Sequence, residues 1–208
     1  LIGPNTSQHR KFEEISAIWG SAARAAKYLR KHDGSGGGNV LATLISGNLF
    51  TLGDPVIGMG FSVLAGANNV NITITSTLLP VNLNNPTFAA AGAGLTVTDG
   101  NSNGALLTGI GAGGLAFRAD YNGLVPTGTN FTSLLPGVAA GVDNSNSVSN
   151  NFGPTNIAGF VADMSMQFAF SLTARDLASG TASYVITPEP SALMLLGLGL
   201  LIAGRVRR

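Results

Sequence analysis

The spacing of apolar residues along this chain changes twice, and the two changes divide it into three segments. Over residues 7–31, Phe12, Ile15, Ile18, Trp19, Ala22, Ala26 and Leu29 recur three and four positions apart. That spacing predicts one amphipathic helix. Ser7 is placed to cap it, and Asp33-Gly34 to stop it. Arg24, Lys27, Arg30 and Lys31 crowd its end. The helix then either lies on a membrane or partner surface, packs on the domain that follows, or is foreign to that domain. Gly34-Ser35-Gly36-Gly37-Gly38 reads as a flexible linker.

From residue 39 to residue 187 the period becomes two. Val70-Asn71-Ile72-Thr73-Ile74-Thr75 alternates apolar and polar side chains, and Leu95-Thr96-Val97-Thr98 does the same before a turn at Asp99-Gly100. Met164, Met166, Phe168, Phe170 and Leu172 make the longest inward row. After a turn at Arg175-Asp176, Ala182, Tyr184 and Ile186 begin a returning strand. Shorter strands are expected within residues 44–52, 60–64, 105–108 and 115–119, and a long loop over 141–154. Repeated short strands between Gly, Asn and Pro turns predict a mainly β, antiparallel β-sandwich or jelly-roll-like domain. Ile72, Ile74, Met166, Phe168 and Phe170 belong to its expected core.

The third segment, 188–208, is short and differently built. Pro188-Glu189-Pro190 precedes thirteen uncharged residues, 192–204, expected to form a hydrophobic helix, and Arg205, Arg207 and Arg208 close the chain. The prolines hold Glu189 in an extended stretch that an enzyme's groove can accept. Three arginines after an apolar run are a stop signal favouring the cytoplasmic side. Thirteen residues fall short of the roughly 20 that cross a bilayer core, so the segment predicts a transient membrane hold. The other reading is a buried terminal helix with an incidental Pro-Glu-Pro.

Composition narrows the function further. Only 10% of the residues are charged and 29 of 208 are Gly, the make-up of a neutral, turn-rich extracellular domain. The absence of Cys excludes disulfides, thiolate zinc sites and a Cys nucleophile. Residues 1–38 carry six basic and three acidic groups, whereas between them and the terminal arginines only Arg118 and Arg175 face seven carboxylates. A mildly acidic centre argues against nucleic acid as a partner. The chain begins at Leu1 without a basic-then-apolar leader, so an export signal is expected to have been removed or to lie before this start.

Pro188-Glu189-Pro190, the apolar run and the arginine cluster, in that order, resemble the PEP-CTERM family of sorting tails. The resemblance implies a Gram-negative source and an exosortase, a membrane enzyme proposed to cut near the tripeptide, as processing partner. It also implies association with the extracellular polymeric matrix, hence export through the inner membrane to the cell surface or matrix.

Few other residues carry chemistry. Both histidines, His9 and His32, precede the β-domain, which leaves it without imidazole for acid–base work, a triad or a metal. Asp54, Asp99, Asp120, Asp143, Asp163 and Asp176 are scattered, as turn aspartates are, although two could meet as a glycosidase pair. Gly109-Ile110-Gly111-Ala112-Gly113-Gly114 has dinucleotide-loop spacing, but strand rather than helix is expected after it. Asp99, Asn101 and Asn103 alternate as calcium-loop ligands do, but the twelfth position is Ile110 rather than Glu, which favours a plain hairpin loop. Asn71-Ile72-Thr73 and Asn130-Phe131-Thr132 fit the glycosylation spacing, which is common in Asn/Thr-rich strands.

The expected function is therefore a non-enzymatic structural or adhesive protein of the surface or exopolysaccharide matrix, without a cofactor. The alternative is a carbohydrate-binding module or weak glycosidase using Tyr121, Phe131, Phe152 and Tyr184 as its aromatics.

Overall fold

The computed structural model describes residues 14–19, 27–30, 40–52, 55–84 and 87–188. Two packed sheets account for most of them. The first holds β1 (Glu14–Trp19), β5 (Val70–Ser76), β6 (Leu79–Leu83), β8 (Ala105–Gly109), β9 (Phe117–Tyr121), β10 (Thr129–Leu134), β11 (Gly137–Ala140) and β13 (Val161–Leu172). The second runs, in spatial order, β12 (Ser145–Ile157), β7 (Thr87–Thr98), β14 (Leu177–Pro188), β4 (Val56–Ala65), β3 (Val40–Leu52) and β2 (Lys27–Arg30). All pairings are antiparallel except β1 with β5.

The hub of the first sheet is β13, whose twelve residues pair with β5 and β6 along one edge and with β8 and β9 along the other. Its inward row, Met164, Met166, Phe168, Phe170 and Leu172, is fully buried, as the period-two pattern predicts. Ile72 and Ile74 are buried beside it. Phe61 of β4 closes the gap between sheets, with its ring centroid 5.1 Å from Phe168 and 5.5 Å from Phe170. Gly180 makes room for that ring, since a Cβ there would sit 2.4 Å from a Phe61 ring carbon.

Three expectations need correction. The helix over residues 7–31 is not what the described residues show: Glu14–Trp19 and Lys27–Arg30 pair with β5 and β3 as strands. A lone helix is marginal in water, whereas sheet edges supply a ladder of backbone partners, and Ile15, Ile18 and Trp19 suit a strand. The strand after Arg175-Asp176 does not return beside β13. It crosses to the other sheet and inserts between β4 and β7, so the turn is an arch rather than a hairpin.

The third correction concerns residues 141–154, expected as a loop. Ser145–Ile157 is a thirteen-residue edge strand paired with β7 from Ser145↔Thr98 to Ile157↔Thr87. Twelve of its residues are not buried, which removes the alternation that marks a strand in sequence. Its free edge is handled locally. The amides of Ser145, Ser147 and Asn151 donate to the side-chain carbonyls of Asn144, Asn146 and Asn150, each at 2.8–2.9 Å. Those donors are thereby satisfied without a neighbouring strand.

Candidate functional site

Three places were marked by the sequence: the loop at Asp99, the aromatic set, and the tail.

In the loop, Asp99 follows β7 and is nearly buried. Its carboxylate accepts four backbone amides: Asn101 at 3.1 Å, Asn103 at 3.4 Å, Gly104 at 3.1 Å and Asp143 at 2.7 Å. A carboxylate has about four lone-pair sites. All are therefore used, and the N–H dipoles aim positive charge where a cation would sit. Burial pushes this carboxyl up, but the four amides outweigh burial and hold it down at about 2. Asn101 turns away, its side-chain nitrogen donating to the Ala174 carbonyl at 3.0 Å. Asn103 contributes its backbone amide. The loop is a clasp between sheet ends, with the Asp99 oxygens already engaged by the amides a Ca²⁺ would have to displace; among the described residues no group of three His, Asp or Glu side chains that could hold a metal ion occurs.

The other described aspartates are similarly engaged. Asp120, fully buried, takes two bonds from Arg118 at 2.6 and 2.8 Å and one from the Asn130 amide. Asp143 accepts from Ser102 and Asp163 from the Gly123 amide, both at 2.6 Å. Asp176 accepts from Gly100 at 3.1 Å and from the Thr173 hydroxyl. Gly109 ends β8, Ala112–Gly114 makes one 3-10 turn, and β9 follows with no helix between them.

The aromatic set is mostly internal. Phe131 stacks on Tyr184 at 5.4 Å and meets Phe152 edge-on at 5.4 Å, which joins β10 to β14 and β12. Tyr184 is fully buried, and its hydroxyl has no hydrogen-bond partner. Burial drives that hydroxyl's pKa far up, with the Asp120 charge and Tyr121 adding to it. Of the four aromatics only Phe152 stands markedly exposed, so they do not form a flat platform.

A surface that the sequence did not single out lies on the outer face of the second sheet. Gly92 and Gly94 floor an open trough walled by Ser149 and Asn151 of β12 and by Thr181 and Ser183 of β14. Hydroxyl pairs continue it, Thr96 with Ser147 at 2.8 Å and Ser179 with Ser62 at 3.2 Å. Phe50, about half exposed, lies over Gly58, where a Cβ would fall 2.0 Å from the ring. The outward residues of successive strands could have revealed this surface, but only once strand order is known.

At the tail, Pro188 is the last residue of β14, opposite Thr87. It lies in the ladder and does not prevent pairing there; a terminal position tolerates its missing N–H. Glu189, Pro190, Arg205, Arg207 and Arg208, and the expected hydrophobic helix, lie outside the described residues. No helix among the described residues is long and apolar enough to cross a membrane.

Comparison with known families agrees with the tail's residues: 187–208 match the family model of the PEP-CTERM protein-sorting motif. The chain thus carries a sorting signal that implies an exported protein processed by an exosortase-type enzyme. No curated protein matches it. Among solved structures it is similar to the CBM22-1 xylan-binding domain of Paenibacillus barcinonensis Xyn10C, with 10% identity and a TM-score of 0.32 over 81% of this chain and 100% of that one. It is also similar to CsCBM6-3 from Clostridium stercorarium, with 13% identity and a TM-score of 0.23 over 78% and 95%. A family 16 carbohydrate-binding module matches at 12% identity and 0.27 over 64% and 85%. At these TM-scores the three likenesses carry no argument about what this domain binds.

Proposed function

We propose that this protein is a non-enzymatic structural or adhesive component of the cell surface or extracellular polymeric matrix. Its tail holds it briefly in the inner membrane and is cut near Pro188-Glu189-Pro190. The observation that supports this reading best is the junction itself: the sorting motif begins on the final residues of a central strand. Cutting just beyond Pro188 would leave every strand of the sandwich in place. The described aspartates are bound to amides, Arg118 or hydroxyls, as a structural role requires.

Intact mass and cell fraction of the native product test the proposal. A product ending near residue 190, found at the surface or in the matrix, is expected; one retaining Arg208 with normal localisation overturns processing.

The second reading is a carbohydrate-binding module or weak glycosidase. The hydroxyl-walled trough beside Phe50 favours binding. A glycan array with the full chain tests it, and turnover of any polysaccharide would overturn the non-enzymatic assignment.

A further inference from the structure

The outer face of the second sheet changes character along its length. At the end where β14 stops, register places Phe88 opposite Thr187, and Val185 in one row with Val56 and Leu52. Phe50 begins the next outward row, beside Gly58 and Ser183. Phe160 joins the same end. It follows Ile157, whose carbonyl accepts the Thr87 hydroxyl at 3.2 Å, and precedes the start of β13. Leu52, Phe160 and Phe50 are 57%, 51% and 49% exposed. Farther from Pro188 the outward residues of β14 become Ser183, Thr181 and Ser179, and those of β7 become Gly92, Gly94 and Thr96. Beyond this polar middle Leu64, opposite Leu177, and the half-exposed Ile45 return at the far end, so the collar is the apolar cluster at the end from which the tail departs, separated from the others by the polar rows.

We infer that this collar, centred on Leu52 and Phe160 with Phe50 beside them, seats on the lipid surface while the tail is in the membrane. The inference rests on the tail reading above. Two observations select lipid as the occupant. Pro188 is still in the ladder, and the uncharged run starts at residue 192, so only three residues separate sheet from apolar segment. With so short a connection this end cannot stand away from the bilayer. The dimension also fits: the three steps from Pro188 to Val185 rise about 10 Å, and interfacial apolar groups sink ~5–10 Å into the headgroup boundary. Asp54, between Leu52 and Pro55 in sequence, lies outside the described residues.

The absence of Cys makes the test clean. Single variants Leu52→Cys, Phe160→Cys, Leu198→Cys and Val142→Cys in the full chain are labelled with an environment-sensitive fluorophore. Each is then reconstituted in phosphatidylethanolamine–phosphatidylglycerol vesicles containing spin-labelled lipid. Val142, 60% exposed, lies near Asp143 at the opposite end and is the control. Loss of emission at positions 52 and 160 but not at 142 is expected, with emission at 198 lost as well. Emission at 52 and 160 no more quenched than at 142 overturns the inference, whatever 198 does. If 198 is quenched the tail reading survives that result, and if it is not, both fall. A blue shift at 52 and 160 without lipid quenching would mean that a second copy covers the collar, and would also overturn it.

Discussion

Asp99 shows how a single side chain can look like a ligand and act as a clasp. Its carboxyl is held at about 2, below the usual 3.8, so its contribution is present above about pH 4 and is lost as pH falls toward 2. Thermal melts of the wild-type chain should lose stability across that window more steeply than those of Asp99→Asn. Millimolar Ca²⁺ should leave the melting temperature of the wild type unchanged; a rise that disappears in Asp99→Ala would restore the calcium reading. Tyr184 gives the opposite case. Its hydroxyl is buried without a partner while its ring stacks on Phe131. Tyr184→Phe should therefore be neutral or stabilising in denaturant unfolding, because it removes an unsatisfied polar group and keeps the ring. Phe168 touches both Phe61 and Phe117 with no exposure. Phe168→Ala should cost about 3–5 kcal/mol in the same assay; a change below about 1 kcal/mol would contradict its place in the core.

Among the elements, β13 was the easiest to read and β12 the hardest. Five large side chains at alternate positions make β13 unambiguous, because one face must be buried. In β12 neither face is consistently covered, and Asn-Ser steps replace alternation. Those steps have their own physical role, since each Asn carbonyl takes the outward amide of the next residue. Ser149, preceded by Val148, lacks such a cap in this run. Replacing Asn144, Asn146 and Asn150 together by Thr should uncover the edge and promote strand-to-strand association. In matched detergent, sedimentation should show the variant forming dimers that the wild type does not; identical profiles would mean that the caps do not guard the edge.

For the whole molecule, sorting and folding meet at Pro188. Glu189→Ala should leave the sandwich intact and insertion unchanged but block cutting, so full-length protein accumulates in the membrane fraction. Neutral replacements at Arg205, Arg207 and Arg208 should instead impair retention during export. Fractionation with mass spectrometry separates the two defects.

The sequence alone determined what depends on local order. The terminal tripeptide, apolar run and arginines are read in line, and the period-two rows of β5, β7 and β13 follow from burying one face. The missing thiol needed only a count. Tertiary structure decided what depends on neighbours: that residues 14–19 and 27–30 join sheet edges, that β14 crosses to the second sheet, and that β12 is a strand. It also turned Tyr184 inward and surrounded Asp99 with amides, one of them from Asp143, 44 positions away. Backbone hydrogen bonds between distant segments leave no periodic trace in either partner. Strand order therefore emerges only when both sheets close on one core.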